Sequence, residues 1–117
     1  MGKSILKDKS YAFAILIVKL SQLLVSDKKE YVLSKQLLRS GTAIGALIRE
    51  AEFAQSKADF IHKLSISLKE ANETLYWIDL LKDTNYIDKD QHQIHYNLNK
   101  ELVAMTISSI NTTKSRL

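Results

Sequence analysis

An all-α fold, an antiparallel up-down-up-down four-helix bundle, is what this sequence predicts, on three observations. The 117 residues contain no proline and only three glycines, too little turn punctuation for a β-rich fold. Apolar residues recur at three- and four-residue steps along most of the chain, the period of a helix rather than a strand. Three short polar breaks separate four such stretches, and connections that short make consecutive helices antiparallel. The length fits one domain, residues 1–117, with enough chain to bury a core.

The first helix is expected over 7–25, with Phe13, Leu16, Ile17, Leu20 and Leu24 inward and Tyr11, Ile15 and Val18 left over. Asp27 followed by Glu30 has the spacing of a capping box and predicts that the second helix opens at 28,. That helix is expected over 28–55, its inner face formed by Leu33, Leu37, Ile44, Leu47, Ile48 and Ala51,. Ser56-Lys57-Ala58-Asp59 reads as the cap of a third helix over 57–84, with the seam Ile61, Leu64, Leu68, Ala71, Leu75 and Ile78,. Asn85 can end it in the left-handed conformation, and Asp88 with Gln91 can open the last helix, 88–115,. There Ile87, Ile94, Leu98, Leu102 and Met105 form the expected inner face.

Gly41 and Gly45 stand four apart inside the second helix. Each costs about 1 kcal/mol relative to alanine, and close approach of a neighbouring helix backbone is the simplest compensation. A phosphate-binding loop would need a preceding strand and a Gly-Lys-Ser/Thr sequence, which this chain lacks.

Several apolar residues fall off the core stripes. Ile66, Trp77 and Leu80 lie together on the third helix, with Glu70 and Glu73 among them, and Tyr96, Val103, Ile107 and Ile110 form a second stripe on the fourth. Scattered surface hydrophobes are normal, but coherent second stripes predict burial between subunits. The oligomer interface is therefore expected at Ile66, Trp77 and Leu80, with Glu70 and Glu73 meeting basic groups of the next subunit.

The formal charge is +4. Residues 61–90 are net acidic and the remaining stretches net basic. On the second helix Lys28, Lys35, Arg39 and Arg49 fall within about 40° of one line by the helical period, and Tyr31 and Phe53 share that line. Cations interleaved with aromatics can hold phosphates and stack bases. The same pattern also fits a solvated face paired with neighbouring acids.

No motif predicts catalysis. The absence of cysteine excludes disulfides, thiolate metal sites and a cysteine nucleophile,. His92, His95 and Asp88 have a spacing that can hold a divalent metal,, but a second ligand pair is missing and both histidines read as flanking or exposed. No metal, cofactor or small-molecule substrate is expected. The apolar run Tyr11–Val18 stops at Lys19, too short to cross a bilayer,. No small-residue cleavage site follows it, and Leu6 breaks the myristoylation pattern,. A cytoplasmic protein without membrane contact is expected.

The run Leu33-Ser34-Lys35-Gln36-Leu37-Leu38-Arg39-Ser40-Gly41-Thr42-Ala43-Ile44-Gly45-Ala46 continues into Ile48-Arg49-Glu50-Ala51, Ser56-Lys57-Ala58-Asp59-Phe60-Ile61 and Leu68-Lys69-Glu70-Ala71-Asn72-Glu73-Thr74. It resembles the four helix bundle protein family, the bacterial 23S rRNA intervening-sequence (IVS) proteins, over nearly the full chain and most strongly over 31–87. Leu47 stands where many relatives have Asn, and Ala43 where Ser is common. The resemblance implies a homo-oligomer, a homopentamer in members of the family. The accessory variability protein of diversity-generating retroelements looks similar, a basic pentameric barrel that binds nucleic acid. No catalytic residue carries over. A non-enzymatic bundle that binds RNA or DNA through Lys35, Arg39 and Arg49 is the expectation, with a protein–protein assembly scaffold as the alternative.

Overall fold

The computed structural model describes residues 2–116, with side-chain surroundings from Ile5 onward. Four helices follow one another as α1 (Gly2–Lys28), α2 (Leu33–Ala51), α3 (Lys57–Asp83) and α4 (Lys89–Ser115). Each packs on two neighbours in the cyclic order α1–α2–α3–α4, and no diagonal pair brings Cα atoms within 8 Å among the described residues. The result is an antiparallel up-down-up-down rod of 48 × 21 × 20 Å.

The breaks are made by identifiable groups. Ser56 accepts the Asp59 backbone N–H at 3.0 Å and caps α3. Asp88 and Gln91 form the reciprocal capping box that opens α4. Asn85, at φ 68°, ends α3 in the left-handed conformation, which asparagine tolerates better than most residues. The α1–α2 corner departs from expectation. Helix α1 runs on to Lys28, and the turn is made by Lys29 at φ 55°. Glu30 is then buried, and its carboxylate accepts the backbone N–H groups of Val32, Leu33 and Ser34 at 3.3, 3.1 and 2.7 Å. The expected Asp27/Glu30 box is therefore absent. Glu30 caps the helix that follows it instead, and α2 spans 33–51 rather than 28–55. Burial raises the Glu30 pKa, but the hydrogen bonds from Ser34, Leu33 and Val32 outweigh it and hold the carboxyl below its ordinary range.

The core is apolar through Phe13, Ile17, Leu24, Leu37, Ile44, Leu64, Ile78 and Leu102. Buried polar side chains stitch helix to helix. Ser21 donates to the Ser34 carbonyl at 2.8 Å, Ser67 to the Ile44 carbonyl at 3.0 Å and Asn99 Nδ2 to the Ala71 carbonyl at 3.1 Å. Thr74 and Ser40 pair through their hydroxyls at 2.9 Å. Such bonds tie each helix to a fixed level of its neighbour, because sliding by one residue would leave buried polar groups unmatched.

Helix α4 is rotated from its expected orientation. Ile94 is 54% exposed, while His95, Asn99, Leu102, Thr106 and Ile110 point inward. Ile110, expected in the second stripe, is a core residue. Leu16, Leu33, Leu47 and Leu75 are only partly buried.

The two glycines of α2 sit at close helix contacts. A Cβ on Gly41 would lie 2.7 Å from Ile17 Cγ2, and one on Gly45 would lie 3.2 Å from the Ser10 carbonyl oxygen. Within Ile5–Lys28 an 18-residue window has a mean hydropathy of 1.4, a length and composition that a membrane-crossing helix and the core helix of a bundle share, so the apolar stretch is longer than the run Tyr11–Val18. In the bundle its inner residues Leu6, Phe13, Ile17, Leu20 and Leu24 are core.

Candidate nucleic-acid interface

The three cations expected to act together have different surroundings. Lys35, Arg39 and Arg49 are all exposed on α2. Arg39 is engaged within its own chain, since its guanidinium donates to Glu70 at 3.3 Å and to Glu73 of α3. Its hydrogen bond to Glu73 raises the Arg39 pKa above the ordinary value. Hydrogen bonds from Arg39 and then Trp77 lower that of Glu73. The glutamates expected to meet the next subunit are thus satisfied by α2 of the same chain, and Arg39 is the least available of the three cations.

Lys35 makes no ion pair among the described residues. Arg49 makes none either, and its guanidinium lies 5.7 Å from the centre of the Tyr11 ring of α1, within cation–π range. The acids nearest Arg49 in sequence are occupied elsewhere: Glu50 takes Lys63 at 3.0 Å and Glu52 takes Lys7 at 3.5 Å. Lys35 and Arg49 are 14 residues apart, about 21 Å along a helix axis.

Beside Arg49 a groove of about 450 Å³ runs between the outer faces of α1 and α2. Gly45, Ala46, Thr42 and Ala14 form its floor, and Tyr11, Arg49 and Phe53 stand at its rim. Tyr11 is 58% exposed and Phe53 80%. The groove follows from small residues: Gly45 lets α1 approach closely, and the alanines leave no side chain long enough to fill the seam. Along the same two helices Ile15, Val18 and Leu38 are also exposed.

The sequence alone marks Tyr11 only as an apolar residue off the core stripe of α1. Its place beside Arg49 depends on the α1–α2 register, which the Gly45–Ser10 approach sets.

The expected interface residues Ile66, Trp77 and Leu80 are all partly buried. Trp77 packs against the core and its indole N–H donates to Glu73 at 3.0 Å. The ring left in solvent there is Tyr76, 59% exposed and edge-on to Trp77 at 4.9 Å.

The Asp88/His92/His95 set is dispersed. Asp88 caps α4, and His92 Nε2 lies 2.8 Å from Asp79 of α3. His95, expected to be flanking or exposed, is buried, with Nδ1 2.6 Å from the Gln91 carbonyl. Among the described residues no group of three metal-ligating side chains converges.

A bundle with buried polar cross-links, an exposed cationic face on α2 and an aromatic-rimmed groove beside it defines a small helical module. The chain belongs to the 23S rRNA-intervening sequence protein family, which it matches over residues 3–108. Its structure is similar to that of a protein of unknown function from the S23 ribosomal protein family of Bacteroides thetaiotaomicron VPI-5482. The TM-score is 0.93 and the identity 55%, over 95% of this chain and 99% of that one. No curated protein matches the sequence.

Proposed function

We propose that the chain is a self-associating helical module that binds RNA or DNA through the outer face of α2. The observation that carries this reading is the state of Lys35 and Arg49. Both are exposed and neither is neutralised by an acid among the described residues, whereas Arg39 is. Unneutralised cations on one helix face are what phosphate binding requires, and binding of that kind falls steeply with salt. The net charge of +4 favours it. So does membership of a family described by a ribosomal RNA intervening sequence. Lys35 and Arg49 are the principal contacts on this reading, with Arg39 secondary.

Self-association rests on the apolar surface left outside the core. The contact at Ile66, Trp77 and Leu80 extends from groups already packed on the protomer. A heterologous contact whose rotation closes makes a ring, and five subunits is the number the family resemblance supports. Replacing Lys35 and Arg49 by Glu should abolish retardation of ribosomal RNA fragments, whereas Arg39→Ala alone should leave it near wild type. Retardation unchanged in the double variant would overturn the reading.

A second reading is an assembly scaffold for proteins, favoured by the exposed row Tyr11, Ile15, Val18 and Leu38. A pull-down repeated with nuclease separates the two: partners lost on nuclease treatment arrive through nucleic acid, and partners retained arrive through protein contacts.

A further inference from the structure

We infer that the α1–α2 groove beside Arg49 takes unpaired bases, so that the nucleic acid bound is single-stranded. This rests on the phosphate-binding reading of α2 and adds which form of nucleic acid the site selects. The rim carries an aromatic ring on each helical side, Tyr11 and Phe53, and the second is 80% exposed. The Arg49 guanidinium lines the same groove, 5.7 Å from the Tyr11 ring centre. Aromatic rings and guanidinium planes are the surfaces on which splayed bases stack. The floor of Ala14, Thr42, Gly45 and Ala46 is shallow and mostly apolar. The volume, about 450 Å³, falls in the range of ligand clefts, about 300–1,000 Å³.

Charge accounting selects an anionic occupant. Of the charged residues that line the groove, Glu50 pairs with Lys63 and Lys7 with Glu52, which leaves Arg49 as the charge without an ion-pair partner among the described residues. A purely apolar occupant would bury that cation without a partner, which is expensive. A nucleotide strand supplies both complements, a base face for the rings and a phosphate for the guanidinium. A duplex supplies only the phosphate, because its base faces are stacked on one another. Lys35, about 21 Å further along α2 by helical rise, continues the backbone track away from the groove.

The test uses the full chain and two fluorescent probes, a twelve-nucleotide oligouridylate and an RNA hairpin whose stem has the same number of phosphates per strand. Anisotropy titrations are run on wild type, Phe53→Ala, Phe53→Trp and the Lys35→Glu/Arg49→Glu variant. Phe53 lies outside the helices and is mostly exposed, so its replacement leaves the fold intact. The expected result is tighter binding of the single strand than of the hairpin. Phe53→Ala should weaken the single strand about tenfold, the scale of one lost base stack, and leave the hairpin unchanged, while Phe53→Trp keeps the wild-type preference. Equal binding of both probes, insensitive to Phe53 but lost in the charge variant, overturns the base-binding groove and leaves the cationic face standing. No binding of either probe overturns the cationic face and the groove with it. A fall in sedimenting mass in Phe53→Ala with oligonucleotide affinity unchanged shows that the groove seats another copy, and also overturns the inference.

Discussion

Gly41→Ala tests the close packing of α1 on α2. In an unconstrained helix the change stabilises by about 1 kcal/mol. Here the new methyl would stand 2.7 and 2.8 Å from Ile17 Cγ2 and Cγ1, well inside the usual carbon–carbon separation of about 3.5–4.0 Å. Both carbons are bonded directly to Cβ of a β-branched residue that is 0% exposed, so they can retreat only by an unfavourable χ1 or a helix displacement. Overpacking of that kind costs about 1–3 kcal/mol. Against the helical gain of about 1 kcal/mol, the net expectation is a loss of about 0–2 kcal/mol. In an Ile17→Ala background the obstruction is gone, and Gly41→Ala should instead stabilise by about 1 kcal/mol. The cycle therefore predicts a coupling of about 1–3 kcal/mol between positions 17 and 41. Urea unfolding followed by circular dichroism measures it, at one protein concentration because association shifts apparent stability. A Gly41→Ala chain more stable than wild type would show that the helices do not approach this closely.

Other expectations bear on separate parts of the molecule. Glu30→Ala removes the acceptor for three backbone N–H groups and should lower stability by about 0.5–2 kcal/mol, the range for a lost helix cap, measured by the same unfolding assay. Because the folded Glu30 pKa lies below the unfolded one, the unfolded chain binds the proton more readily. This contribution is complete above the ordinary glutamate range and is lost as pH falls through the folded pKa; Glu30→Ala should flatten that acid limb. Arg39→Ala breaks a half-exposed ion pair and should cost at most about 1 kcal/mol while leaving nucleic-acid retardation near wild type. Trp77 is the only tryptophan, so its emission should shift to the red on dilution if it lies between subunits; a falling sedimenting mass with unmoved emission would place the interface elsewhere.

The helices and their caps were legible because their signals are local. Ser56 with Asp59, Asn85, and Asp88 with Gln91 each act within a few residues, and the structure uses all of them. The α1–α2 corner was not, because Asp27 and Glu30 satisfy the spacing of one cap while burial of Glu30 and the left-handed Lys29 build another. The α4 face departs from its apolar periodicity for a different reason. Apolar periodicity gives Ile94 an inward position, but Asn99 bonds to α3 and His95 bonds within α4, and both are buried on a face a hydrophobic count cannot see. Helical spacing places Lys35, Arg39 and Arg49 together on α2, whereas Lys28, Tyr31 and Phe53, expected on the same line, lie outside that helix. The division of the three cations into an engaged Arg39 and an unneutralised Lys35 and Arg49 required α3 to be placed beside them. The groove beyond Arg49 required the register of α1 as well.

Salt dependence of oligonucleotide binding tests the central claim most directly. Affinity for a single strand, measured by anisotropy across a salt series, should fall linearly on a double-logarithmic plot with a slope of about −0.7 for each phosphate neutralised. Lys35 and Arg49 from one protomer then give a slope of about −1.4, steeper if several protomers contribute, and the Lys35→Glu/Arg49→Glu variant should show no measurable binding. A wild-type chain that binds no oligonucleotide at low salt, or binds one with a flat salt dependence, would contradict the account.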